Sequence, residues 1–136
     1  MVEFDISYEG GLHCTAKHGP SGAVIETDAP VDNHGRGEAF SPTDLCAASL
    51  GLCMLTILGI AAEKCGVDIS GAKGRVGKEV SSELPRRIGK ISVDLDIPLS
   101  PDHPSRDELE KAAMSCPVHY SLHPDIEKVI TWNWNG

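Results

Sequence analysis

No block of lysine or arginine occurs anywhere in the 136 residues, and acidic residues outnumber basic ones 20 to 12, a net charge of −8 at pH 7. Nucleic acid and anionic membrane surfaces are recognised through a basic footprint, so neither is an expected partner. The start, MVEFDISYEGG, has no basic segment leading into an apolar stretch. No secretory signal is read there, and the cytoplasm is the expected location. Internal repeats, low-complexity tracts and linkers are also missing, so one domain spanning 1–136 is expected. A glycine-rich phosphate loop is missing too: Gly35-Arg36-Gly37 is too short and follows no clear strand. No cofactor is therefore expected.

What the chain does have is a 40% hydrophobic fraction, ordinary for a folded domain, and five cysteines. In a reducing compartment these are thiols, and an odd number cannot all pair within one chain. Phe4, Ile6 and Tyr8 alternate with polar residues, as in a half-buried strand. Leu12 to Lys17 and Ala23 to Thr27 continue an antiparallel meander, and Val31 to Ala39 reads as a loop. Later, Val67 to Val80 reads as a glycine-interrupted strand. Ile88 to Pro98 alternates most clearly of all. Ser105 opens a helix ending near Ser115, Pro117 restarts a short one to Leu122, and Val129 to Trp134 is a last strand. The class is α+β, with antiparallel strands packed on one long and one shorter helix.

The long helix is read from Pro42 to Cys65, roughly 36 Å at 1.5 Å per residue. Ser41 is its N-cap, Pro42 suits the first position and Asp44 completes a capping box at the positive dipole end. Gly66 suits the left-handed residue beyond its end. Leu45 to Ala62 is almost wholly apolar, which meets the length for a membrane span. Internal Ser49, Gly51, Thr56 and Gly59, acidic residues at both edges and the missing aromatic belt argue against one. A helix apolar on every side is otherwise buried on every side, and a small domain wraps one best with help from a second subunit.

Among the thiols, Cys46, Cys65 and Cys14 (beside His13) read as small hydrophobes. Cys53 lies mid-way along the long helix. Cys116 precedes Pro117 at a helix N-cap, where unpaired N–H groups and the dipole favour a thiolate. A rival reading uses Cys116, His119 and His123 as half of a zinc site. The other histidine cluster, His13 and His18, lies about a hundred residues away, so no metal site is expected. Trp132 and Trp134 read as core or interface filler.

Phe40-Ser-Pro-Thr-Asp-Leu-Cys-Ala-Ala-Ser-Leu-Gly-Leu-Cys53 resembles the helix of the OsmC/Ohr family, and Ser115-Cys116-Pro117-Val118 resembles its second cysteine motif. The spacing and the order of elements match over essentially the whole chain. The resemblance implies an intertwined homodimer and a thiol peroxidase acting on organic hydroperoxides. Cys53 would be the attacking thiolate, Cys116 the resolving thiol, and an external dithiol the reductant. In the family's best-known branch a glutamate follows the helix-opening proline and an arginine lies in the early strands. Here Thr43 follows Pro42, Asp44 comes next, and Arg36 precedes the helix, so these three are the candidates for supporting the thiolate. A redox-sensing or ligand-binding dimer without turnover is the alternative on the same fold.

Overall fold

A computed structural model describes all of residues 1–136. They pack as two compact units, Met1–Cys46 and Ala47–Gly136.

The first unit is a meander of β1 (Phe4–Gly10), β2 (His13–His18) and β3 (Val24–Asp28), antiparallel throughout. The turn between β1 and β2 needs left-handed backbone at Gly11 and Leu12, both at φ 61. Glycine adopts it freely; leucine does not, so the turn is held by its surroundings. Ala29 N–H donates to the Leu12 carbonyl at 3.1 Å. In register, Tyr8 opposes Cys14, and His13 opposes Asp28. The alternation read in β1 is present, but Phe4, Ile6 and Tyr8 are all exposed, Ile6 at 81%. One face of the sheet is lined by Ile6, Tyr8, Cys14, Ala16 and Ile25 and forms an open apolar hollow of about 550 Å³. Beyond β3 a single 3-10 turn, Val31–Asn33, interrupts the loop.

The second unit holds most of α1 (Pro42–Lys64), followed by β4 (Lys73–Val80), β5 (Ile88–Ile97), α2 (Arg106–Met114), α3 (Pro117–Ser121) and β6 (Glu127–Trp134). Its sheet runs β4-β5-β6. β4 pairs antiparallel with β5, whereas β6 pairs parallel with it, so the expected antiparallel sheet is mixed here. A parallel return needs a crossover, and α2 and α3 supply it. Ile91, Val93, Leu95 and Ile97 of β5 are buried against Leu50, Met54 and Leu58 of α1 and Leu109 of α2. Each such side chain contributes about 1.5–3 kcal/mol on leaving water. Trp134 fastens β6 to α2: its indole N–H donates to Glu110 Oε1 at 2.7 Å, and the Arg106 guanidinium lies over its ring.

α1 keeps the expected bounds. Ser41 Oγ accepts from the Asp44 N–H at 3.0 Å, and Asp44 Oδ2 accepts from the Ser41 N–H at 2.9 Å, a reciprocal capping box. At the other end Gly66 takes φ 69. The helix is long and apolar enough to cross a membrane by length and composition alone, as core helices often are. It is not buried on every side within one chain. Ala47, Leu50, Gly51, Met54, Leu58 and Ala62 are buried, while Leu52 and Ile60 face out, Leu52 at 66% exposure.

Two local expectations change. Val67 to Ala72 is a turn, not strand: the Asp68 carboxylate accepts from Ser70 Oγ and N–H, and Gly71 adopts φ 90. Ser105 does not cap α2 through its hydroxyl, because its own backbone is already helical at φ −92, ψ 0.

Candidate active site

Cys53 and Cys116 come together in the second unit, with both sulfurs free. Cys53 is half-buried on α1, beside the core residues of that helix. Cys116 is fully buried. It sits in extended backbone, φ −71 and ψ 142, immediately before Pro117 at the first position of α3. That geometry follows from the proline, which keeps the preceding residue out of the helical region and has no N–H to satisfy. The cap is real: His119 N–H donates to Cys116 Sγ at 3.2 Å.

The electrostatic expectation for Cys116 is nevertheless reversed. Burial pushes its thiol above the ordinary range, and this outweighs the lowering by the His119 N–H. The Cys53 sulfur adds to the rise through a side-chain hydrogen bond and through charge repulsion, while the Val118 N–H lowers it further down the scale of effects. Desolvation disfavours the charged form of any acid, and a helix of one turn carries little dipole to offset it. Cys116 therefore keeps its proton. A protonated thiol next to a more accessible sulfur is suited to donate a hydrogen bond to it and to resolve an oxidised one.

The remaining candidates lie in the first unit. Thr43 Oγ1 is 3.1 Å from Ser41 Oγ, and Asp44 is engaged in the capping box, so both serve the start of α1. Arg36 lies against the β1–β2 turn: a Cβ added to Gly11 would stand 2.9 Å from its guanidinium.

Cys116, His119 and His123 are not brought together as one group of side chains. No group of three or more His, Cys, Asp or Glu side chains is arranged to hold an ion. The His119 ring stands edge-on to Tyr120, and His123 Nδ1 accepts from the Asp125 N–H at 3.0 Å. Of the thiols read as core filler, Cys46 is exposed, Cys65 is half-buried with its S–H 3.7 Å from Glu108 Oε2, and Cys14 lines the apolar hollow.

One pair went unseen in the sequence. His13 Nδ1 is 2.6 Å from Asp28 Oδ1, with Glu26 Oε1 3.4 Å from Nε2. Asp28 is only 3% exposed, and its hydrogen bond raises the His13 pKa above the ordinary histidine range despite partial desolvation. Residue spacing carries no sign of the pair; only the β2–β3 register brings it together.

A family model described as OsmC-like protein matches residues 35–130. Among solved structures, a candidate osmotic stress induced and detoxification response protein from Psychrobacter arcticus is 41% identical, with a TM-score of 0.91 over 97% of this chain and 96% of that one. An organic hydroperoxide resistance protein OsmC from Legionella pneumophila shares the fold at 13% identity and a TM-score of 0.75, covering 96% of each chain. Another from Elizabethkingia anophelis does so at 18% identity and 0.76, covering 99% of this chain and 98% of that one. No curated protein sequence matches.

Proposed function

Because the chain belongs to the OsmC-like protein family, we propose that it is a two-cysteine peroxidase that reduces organic hydroperoxides. The observation that carries this reading is the contact of a half-buried Cys53 with a buried Cys116 whose thiol is pushed up by burial. Cys53 thiolate attacks the distal peroxide oxygen; the O–O bond breaks, the alkoxide leaves and takes a proton, and Cys53 becomes a sulfenic acid. The Cys116 sulfur then displaces water from that sulfenic acid, forming a disulfide. An external dithiol returns both sulfurs to thiols. The apolar surroundings of Cys53 on α1 favour an alkyl peroxide over hydrogen peroxide. Arg36, Thr43 and Asp44 remain the groups proposed to support the thiolate.

We take residues 1–136 as one domain of a cytoplasmic homodimer. The apolar side chains left outside, Phe4, Ile6 and Tyr8 on β1 with Leu52 and Ile60 on α1, support a partner copy of the chain. With that cover, α1 needs no membrane.

The test is consumption of cumene hydroperoxide by the purified protein with a dithiol reductant. Turnover is expected, and Cys53→Ser should abolish it. Intact turnover in Cys53→Ser would overturn the assignment. A single oxidation of Cys53 without turnover would favour the sensing dimer instead.

A further inference from the structure

Between β3 and α1 the chain leaves the first sheet at Ala29 and returns at Phe40. The loop so formed is closed at its base. Asp28 N–H donates to the Phe40 carbonyl at 3.2 Å, Ala29 N–H donates to Leu12, and Gly37 N–H donates to Ala29 O at 3.2 Å. Its interior is tight: a Cβ at Gly35 would run into the Ala29 carbonyl. From its tip Arg36 lies against Gly11 of the β1–β2 turn. These ties run through the backbone of Asp28 and Ala29; the Asp28 carboxylate beside them is nearly buried, and His13 is the base bonded to it.

We propose that the His13–Asp28 pair is a pH-sensitive clasp on the 29–40 loop, holding it closed over the β1–β2 turn while His13 is protonated and loosening it when that proton is lost. Protonated His13 gives Asp28 a charge-assisted hydrogen bond and a counter-charge. Neutral His13 can still donate its Nδ1–H to the carboxylate, but the buried carboxylate loses its counter-ion, which is the costly state for such a group. The groups facing His13 all push one way. From β3 come Asp28 and Glu26; from β1 its partner is uncharged Gly10, while Glu9 is turned to Thr15. Arg36 lies over Gly11 on the same turn. The raised pKa of His13 agrees with this geometry. Its sign places the closed state below the ordinary histidine range and the loosened state above the elevated value. His13 acts here through Asp28, as a positioning residue for the loop.

The Arg36–Gly37 bond reports the loop directly. Its tryptic cleavage is followed by mass spectrometry from pH 6 to 9, normalised at each pH to cleavage of an unstructured peptide spanning residues 30–44. The His13 ring is titrated by NMR in the same protein. Proteolysis of a briefly opened loop follows the open population. The normalised rate is therefore expected to rise roughly five- to ten-fold through the His13 midpoint, as an ion-paired hydrogen bond becomes one in which only the acceptor is charged. In His13→Gln and Asp28→Asn the rate should be flat with pH. A flat rate in the unmodified protein, or a step that persists in His13→Gln, overturns the proposal. Should Asp28→Asn fail to fold by circular dichroism, His13→Gln decides alone. The readout does not use turnover, so its failure and that of the peroxidase reading are separate results.

Discussion

Cys53, half-buried midway along α1, is a neighbour of the fully buried Cys116, the residue just before α3. Burial, and after it the neighbouring Cys53 sulfur, oppose ionisation of Cys116, which is also the more deeply buried of the two, so the pair is asymmetric before any oxidant arrives.

That asymmetry predicts the products of oxidation. After one equivalent of hydroperoxide the intact mass should fall by two hydrogens, with the lost pair mapped to Cys53–Cys116. In Cys116→Ser, Cys53 should instead accumulate as sulfenic and then sulfinic acid. A sulfinic acid on Cys53 in the unmodified protein, with Cys116 untouched, would demote Cys116 from the resolving role.

The raised thiol also links stability to pH. A folded state that holds the Cys116 proton more tightly than the unfolded chain loses stability as pH rises from the ordinary thiol range, about 8.5, through the folded value. Urea midpoints between pH 7 and 10 should decline, and Cys116→Ala should decline less steeply over the same span. Equal slopes in both proteins would contradict the linkage.

Ser41 is buried and bonds both Asp44 and Thr43. Ser41→Ala should cost about 1–2 kcal/mol by urea denaturation, at the high end for a lost N-cap because the site is closed to water. Substitution of exposed Thr56, whose hydroxyl only back-bonds to the Leu52 carbonyl, should cost less than about 0.5 kcal/mol.

Gly51 marks where α1 meets β4. A Cβ there would stand 2.6 Å from Val76 Cγ2. Alanine improves helix propensity by about 1 kcal/mol, but overpacking against a stiff β-branched side chain costs about 1–3 kcal/mol. Gly51→Ala should thus be destabilising, and Val76→Ala should restore part of the loss. A coupling energy near zero in that double-mutant cycle would show that the contact gives way freely.

If two copies cover the exposed face of α1, Leu52→Glu should shift the protein from dimer to monomer in light scattering. An unchanged mass would place the interface elsewhere.

Much of this was legible in local chemistry. The capping box at Ser41 and Asp44 and the left-handed Gly66 bound α1 to within a residue, because both ends are decided by neighbours in sequence. The alternation of Ile91, Val93, Leu95 and Ile97 gave β5 for the same reason. The parallel pairing of β6, the His13–Asp28 contact and the raised pKa of Cys116 all depend on residues far apart in the chain. The N-cap of Cys116 could be read locally; the burial that overrides it could not. Asp68 shows the reverse failure, a local Asx turn within a run that looked extended.

The crossover between β5 and β6 has a consequence for the newborn protein. Cys116 rides on that crossover, between β5 and β6 in the chain. On the ribosome α1 emerges well ahead of β6, and at about 5–20 residues per second the interval is of the order of several seconds. Throughout it Cys53, which we propose as the attacking thiol, is made while the crossover that carries Cys116 is still incomplete. Nascent chains caught in an oxidative burst would then be the molecules most exposed to irreversible damage, and the mature ones the best protected.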